Sequence, residues 1–119
     1  MGRFTRRILM FLLAVMLASP VIIAAPPAKA GINHCAGIWA NNNRVVVQHL
    51  SRCGPNGVYH IHVWGGGHSN NTRNYLYTGR LREFTARWPA AEGSKICAEL
   101  WYHEGSGRYS SWGLPCDNM

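Results

Sequence analysis

The sequence is poor in acidic residues. It has five Asp and Glu residues against twelve Lys and Arg, and Asp117 is its single aspartate. Carboxylates serve as nucleophiles, general acids and orienting groups in many hydrolases, so this scarcity argues against most enzymatic mechanisms. The four glutamates could still form a glycosidase pair or orient a serine–histidine pair. A small secreted hydrolase is therefore an alternative interpretation, without assigned catalytic residues.

The sequence also lacks an apolar run long enough for a membrane-spanning helix, which needs about 20 residues. Its residues 8–18 are uncharged and largely apolar, three arginines precede them, and a small-x-small site from Ala28 to Ala30 follows. This order predicts a cleavable secretory signal peptide over residues 1–30 and a secreted, extracellular domain over residues 31–119. An uncleaved N-terminal anchor is the alternative. After cleavage we expect no membrane attachment.

Signal cleavage changes the charge of the chain. The removed segment holds four basic and no acidic residues, so the formal net charge falls from +7 to +3. A charge this modest does not indicate a nucleic-acid partner, and none is expected. The tripeptide Thr5-Arg6-Arg7 resembles the start of a bacterial twin-arginine signal, although we favour the general export route.

No Cys-x-x-Cys pair is present, which leaves little support for a zinc knuckle or a thioredoxin-type site. The four cysteines, Cys35, Cys53, Cys97 and Cys116, all follow the predicted signal peptide. An even cysteine count in a small exported chain predicts two disulfides. Of the three possible connectivities we favour the sequential one, Cys35–Cys53 and Cys97–Cys116. Each would close a loop of about twenty residues and contribute roughly 3 kcal/mol.

Turn residues separate short β-rich segments throughout residues 31–119. Residues 58–64 alternate between apolar side chains and a face of His60, His62 and Trp64. The polar, glycine-rich residues 65–74 are interpreted as the longest loop. Residues 81–88 fit both helical and strand spacing, and we favour a strand. The pattern predicts an all-β fold, a small antiparallel β-sandwich of six or seven short strands, with a compact barrel as the alternative.

The last third of the chain predicts a β-hairpin around a glycine-rich turn. With a two-residue turn, Trp101 would face Trp112, and Cys97 would face Cys116. This alignment is the main reason for choosing the sequential disulfides. Pro115 cannot donate a hydrogen bond to a neighbouring strand, so the final strand is expected at a sheet edge.

Three histidines offer a possible metal site. His60 and His62 leave the same face of their predicted strand, which is the geometry of paired metal ligands. If residues 44–50 pair with residues 58–64, His49 could supply a third nitrogen for Zn or Cu. The alternative is that His60 and His62 are the solvent-facing half of an alternating strand, and no cofactor is firmly expected.

The sequence is rich in tryptophan and tyrosine, with five of each, all after residue 30. A domain of this size cannot bury ten such side chains completely, and Trp and Tyr are favoured in contacts with proteins and sugars. We predict a contact surface on the terminal hairpin made of Trp101, Trp112, Tyr109 and Arg108. The alternative is that this face is buried beneath the second sheet.

Two sequential disulfides in a small secreted β-domain resemble the layout of the bacterial proteinaceous α-amylase inhibitors. Between its first two cysteines this sequence has Ile38-Trp39-Ala40, and the Trp-Arg-Tyr triplet of that family is absent. The resemblance implies an inhibitor-like architecture and carries over no functional residue. The leading interpretation is a monomeric, non-enzymatic secreted binding protein. It would bind an extracellular protein or a glycan, as an inhibitor, effector or toxin-like factor does.

Overall fold

Ten antiparallel strands form two sheets in the computed structural model, which describes residues 31–119. The strands are β1 (Gly31–Asn33), β2 (Ala36–Asn41), β3 (Arg44–His49), β4 (Gly57–Gly65), β5 (His68–Asn71), β6 (Tyr75–Tyr77), β7 (Arg82–Arg87), β8 (Lys95–Gly105), β9 (Arg108–Ser111) and β10 (Cys116–Asn118). The predicted all-β fold is confirmed, with ten strands in place of six or seven. The predicted signal peptide lies outside the described residues. Across residues 31–119, no helix has the length and apolar character to traverse a membrane.

The four-stranded sheet has the order β1-β2-β3-β7. The turn between β2 and β3 is Asn42-Asn43, where both residues have positive φ, 50° and 61°. Asparagine tolerates this left-handed backbone better than most residues. Strand β3 contains three consecutive valines, whose β-branched side chains favour extended backbone. The strand interpretation of residues 81–88 is confirmed, because β7 pairs with β3 along its whole length.

The six-stranded sheet is built around β4 and β8, which pair with each other at its centre. The far edge of β8 is shared by β9 and β10, and the far edge of β4 is shared by β5 and β6. The loop predicted over residues 65–74 is wrong, since its middle forms β5. Gly66 and Gly67 have φ of 60° and 86°, a left-handed backbone that glycine adopts at little cost, and they turn the chain tightly back onto β4.

The pairing of residues 44–50 with residues 58–64, on which His49 as a third metal ligand depends, does not occur. Strand β3 lies in one sheet between β2 and β7, whereas β4 lies in the other sheet. The loop after β3 carries the chain across the sandwich, and the Cys35–Cys53 disulfide ties this loop to the start of β2. Arg52, in the same loop, has a φ of 51° and donates its backbone N–H to the Gly79 carbonyl.

The core lies between the sheets and follows the alternation of the strands. Alternate residues of β4 and β8 point inward, and they meet alternate residues of β2 and β3. The members of this core include Ala36, Ile38, Ala40, Val45, Val47, Tyr59, Ile61, Val63, Ile96, Ala98 and Leu100, each less than 8% exposed.

Both sequential disulfides are confirmed, Cys35–Cys53 and Cys97–Cys116. Cys97 and Cys116 stand directly opposite each other on β8 and β10, as the hairpin alignment predicts. Strand β10, which follows Pro115, lies at the end of its sheet, so the edge position is confirmed as well.

The predicted pairing of Trp101 with Trp112 is wrong. A register shift between His103 and Gly105 moves the β8–β9 ladder by one residue, so Trp101 stands opposite Ser111. Because the side-chain period of a strand is two residues, this shift puts Trp112 on the opposite face of the sheet from Trp101.

The register is restored further along the strand, at Leu100. Its N–H donates to the carbonyl of Gly113 at 2.9 Å, and its carbonyl accepts from the N–H of Trp112 at 2.8 Å. Two residues of the returning chain therefore stand opposite one residue of β8, which is the arrangement of a β-bulge. The two irregularities cancel, and the two cysteines still meet.

Candidate functional site

The broadest candidate surface is the side of the six-stranded sheet that points away from the core, which we call the outer face. Its residues are the outward-pointing neighbours of the buried core residues of β4 and β8, together with the residues that pair with them on the flanking strands. They are Val58, His60, His62, Trp64, Ser69, Asn71, Leu76, Cys97, Glu99, Trp101, His103, Tyr109 and Ser111.

A histidine pair lies near the middle of the outer face. His60 Nδ1 and His103 Nε2 are 2.7 Å apart, and their rings meet edge to face. Tyr109 borders both rings, with centroids 5.8 Å from His60 and 4.7 Å from His103. Burial lowers the pKa of His60 below its ordinary value of 6.5, and the neighbouring charges of His103 and His62 lower it further. His60 is therefore largely uncharged at neutral pH.

The next outward residues of β4 make separate contacts. His62 Nε2 lies 2.9 Å from Ser69 Oγ on β5, and the His62 ring packs against Trp64 at 5.0 Å. Glu99 stands directly opposite His62 on β8. A hydroxyl within hydrogen-bond distance of an imidazole is the contact that a nucleophile and its base make in hydrolases.

One end of the outer face is openly apolar. Leu76 is 64% exposed, Tyr109 is 56% exposed and Val58 is 38% exposed. Val58 and Leu76 stand directly opposite each other on β4 and β6, so their side chains adjoin. The half-buried Trp101, which pairs with His60, continues this surface toward the centre of the sheet.

The predicted contact surface on the terminal hairpin is divided between different parts of the molecule. Trp101 and Tyr109 lie on the outer face. Trp112 is on the core side, where it stacks on His34 with ring centroids 5.1 Å apart. Arg108 is exposed at the hairpin end, and its guanidinium lies 3.9 Å from the carboxylate of Glu104. The structure therefore does not bring these four residues together.

The predicted histidine set is divided as well. His60 and His62 lie on the outer face, but His49 is fully buried in the core. Its Nδ1 lies 2.9 Å from the hydroxyl of Tyr75, its Nε2 lies 2.9 Å from the carbonyl of Cys53, and its ring stacks on Tyr77. Within residues 31–119, no three His, Cys, Asp or Glu side chains are placed to hold one metal ion.

A groove of about 310 Å³ opens between the sheets beside β5 and β7. It exists because each of these strands is the last in its sheet, so the inward side chains of β7 are half covered. Aliphatic and aromatic side chains form its floor, and polar residues form its rim: Val45, Val47, Val63, Phe84, Ala86 and Trp88, then Asn70, Asn71, Thr72, Arg73 and Thr85. Sequence analysis missed this groove, since it depends on how the two sheets pack.

Comparison with known proteins assigns no family. No protein-family model matches the chain, and no curated protein matches it significantly. The architectural resemblance to the α-amylase inhibitors is therefore without support from these comparisons. What this protein does must be inferred from its own surface.

Proposed function

We propose that this protein is a secreted, non-enzymatic binding protein that binds a partner protein through the outer face of its six-stranded sheet. One observation supports this proposal above the others. Val58 and Leu76 expose adjoining apolar side chains, Tyr109 is exposed on the same face opposite His103, and Trp101 extends this surface toward the sheet centre. Contiguous exposed apolar and aromatic surface is typical of protein contact sites.

The composition of the outer face favours a protein partner over a glycan. Sugars stack on aromatic rings, but exposed aliphatic side chains such as Leu76 and Val58 contribute most when another apolar surface covers them. Glu99 is the single Asp, Glu, Lys or Arg residue among those of the outer face, and such residues are depleted at the centre of protein interfaces. Ser69 and Asn71 at the other end supply the polar rim that such interfaces have.

The proposal is tested with a surface variant and a matched control. In the double variant Leu76→Ser, Tyr109→Ser, two exposed contacts are removed from the outer face while the core stays intact. The control is Ile32→Ser, because Ile32 is 62% exposed but lies on β1 in the other sheet. The three proteins are immobilised and exposed to extracellular proteins of the producing culture, and retained proteins are identified by mass spectrometry.

We expect a protein that the wild type and the control retain and the double variant does not. Its purified form should bind the double variant at least tenfold more weakly by calorimetry, since loss of one tyrosine hot-spot contact costs about 2 kcal/mol or more. Equal binding to all three proteins would place the contact elsewhere. Binding to a glycan array that Trp64→Ala abolishes would replace the protein partner with a carbohydrate.

The Ser69–His62 contact favours a second candidate function, a small hydrolase. This candidate predicts that a fluorophosphonate probe modifies Ser69, and that His62→Ala and Ser69→Ala abolish labelling. A wild-type protein that stays unlabelled at probe excess would rule out serine hydrolysis at this position.

A further inference from the structure

We propose that His60 and His103 form a binding site for one divalent transition-metal ion on the outer face. Their nitrogens Nδ1 and Nε2 point at each other across 2.7 Å, from two neighbouring strands. Imidazole nitrogen is a preferred ligand of Zn, Cu and Ni. An ion inserted between two such nitrogens replaces a single hydrogen bond with two coordinate bonds.

The two rings can open to admit an ion with little movement. Zinc–nitrogen bonds are about 2.0–2.1 Å long, so two nitrogens at tetrahedral positions are about 3.3 Å apart. The His60 and His103 nitrogens must therefore separate by about 0.6 Å. Both side chains are half-buried, and neither belongs to the hydrophobic core. Small rotations about their side-chain bonds supply this distance.

The proton balance of the site is simple. In the metal-free pair, one of the two facing nitrogens carries a hydrogen and donates it to the other. When the ion binds, that hydrogen moves to the far nitrogen of the same ring through solvent. Because the hydrogen stays on its own ring, both facing lone pairs become ligands and no net proton is released. Water completes the coordination shell, since the described residues supply no third His, Cys, Asp or Glu.

The backbone beneath the pair is well suited to hold two ligands in place. His60 and His103 lie on β4 and β8, the central strands of the larger sheet. The inward-facing side chains of both strands belong to the hydrophobic core. His103 is two residues beyond Trp101, the direct partner of His60, so the two side chains meet diagonally on one face. Ligands on paired strands keep their separation better than ligands on loops.

This site differs from the His60–His62 pair that the strand alternation predicts. His62 Nε2 already contacts Ser69, whereas His60 turns its Nδ1 toward His103. A metal ion would therefore bind across strands, with the second ligand 43 residues away in the chain. Because Cu²⁺ binds nitrogen ligands most tightly among the divalent ions of its row, we expect the affinity order Cu²⁺ above Zn²⁺.

The test is a calorimetric titration of the purified protein with Cu²⁺ and with Zn²⁺ at pH 7.5. We expect one ion per chain, and a loss of affinity of at least tenfold in His60→Ala and in His103→Ala, because even outer-shell partners of metal ligands cost about 10–100-fold. The matched controls are His62→Ala and His68→Ala, which should keep wild-type affinity. Thermal melting of the metal-free variants checks that each is folded.

Electron paramagnetic resonance of the Cu²⁺-loaded wild type gives a measurement that needs no variant, and we expect two coordinated nitrogens. An equal loss of affinity in His62→Ala would assign the site to the His-x-His pair and overturn the proposal. A wild-type affinity no higher than that of the His60→Ala, His103→Ala double variant would also overturn it. The probe is the metal ion alone, so these outcomes do not depend on whether the outer face binds a protein.

Discussion

His49 shows how a buried histidine can serve the fold. Its Nε2 faces the Cys53 carbonyl, which can only accept a hydrogen bond, so Nε2 must carry the hydrogen of the ring. In the neutral ring Nδ1 is then an acceptor, and the Tyr75 hydroxyl donates to it. Burial lowers the pKa of His49 below 6.5; the Cys53 contact raises it in part, and the charge of Arg82 lowers it again. The buried ring is thus held in its neutral form.

The neutral state of His49 predicts how stability depends on pH. The folded pKa of His49 lies below its unfolded value of 6.5, so acid favours the unfolded chain. The contribution of His49 is complete above pH 6.5 and is lost as the pH falls below it toward the folded pKa. We expect the free energy of unfolding in urea to drop between pH 7.5 and pH 5, and to drop less in His49→Gln. The control His68→Gln, at an exposed histidine, should keep the wild-type drop.

Asp117 is a second buried polar residue whose side chain stabilises the fold through a hydrogen bond. It is 7% exposed, and its Oδ2 accepts the backbone N–H of Ala40 at 2.9 Å, which joins β10 to β2 in the other sheet. Asp117→Ala leaves that buried N–H without an acceptor, which costs about 1–3 kcal/mol. Urea unfolding should show this loss. Asp117→Asn retains one oxygen and should lose less; an equal loss in both variants would mean that the carboxylate charge matters more than the hydrogen bond.

At the level of single elements, Gly113 allows the bulge that restores the β8 register. A Cβ at Gly113 would meet the carbonyl oxygen of Asn33 and the side chain of Ala36. Gly113→Ala should therefore destabilise the protein by roughly 1–3 kcal/mol more than Gly107→Ala. Gly107 is the matched control, because its φ is also positive but no atom lies within 4 Å of its Cβ position. Thermal melting of both variants measures the difference, and equal melting temperatures would contradict the account of the bulge.

Within single strands, the sequence predicts which face is buried but does not predict which distant strand pairs with it. The alternation of β4 identified an outward His60, His62 and Trp64, because a strand half buried in a core has a period of two. It could not identify His103 as the contact of His60, since that depends on which distant strand pairs with β4. The hairpin prediction placed Cys97 opposite Cys116 correctly and Trp101 incorrectly, because bulges shift registers without a clear signal in residue type.

At the scale of the whole molecule, two disulfides cross-link the chain, one at the start of β2 and one between β8 and β10. Cys35–Cys53 and Cys97–Cys116 span 18 and 19 residues, and each contributes roughly 3 kcal/mol by restricting the unfolded chain. Their sum is comparable with the whole stability of a typical domain, about 5–15 kcal/mol. We expect reduction of both bonds to unfold the protein at 37 °C, as measured by circular dichroism with and without reductant. A reduced protein that keeps its strand signal would show that the core suffices.

The positions of the candidate surfaces on the molecule could not be predicted from the sequence, because they depend on which strands share a sheet. The division of the strands between two sheets decides that His49 is enclosed while His60 is on the outside, and this division follows from where the loop after β3 crosses the sandwich. The groove beside β5 and β7 likewise exists only once both sheets end there. Residue patterns report which side of a strand is buried, but they do not report which strands share a sheet.

Two turn residues with side chains have a left-handed backbone conformation that favours glycine. Arg52 has a φ of 51° and Ser106 a φ of 57°, a backbone shape that costs a residue with a side chain about 1 kcal/mol or more relative to glycine. Arg52 lies in the loop after β3, and Ser106 lies in the turn between β8 and β9. Glycine at these two places would remove this cost but would add about 0.4–1 kcal/mol of conformational entropy to the unfolded chain, so we expect at most a small rise in melting temperature.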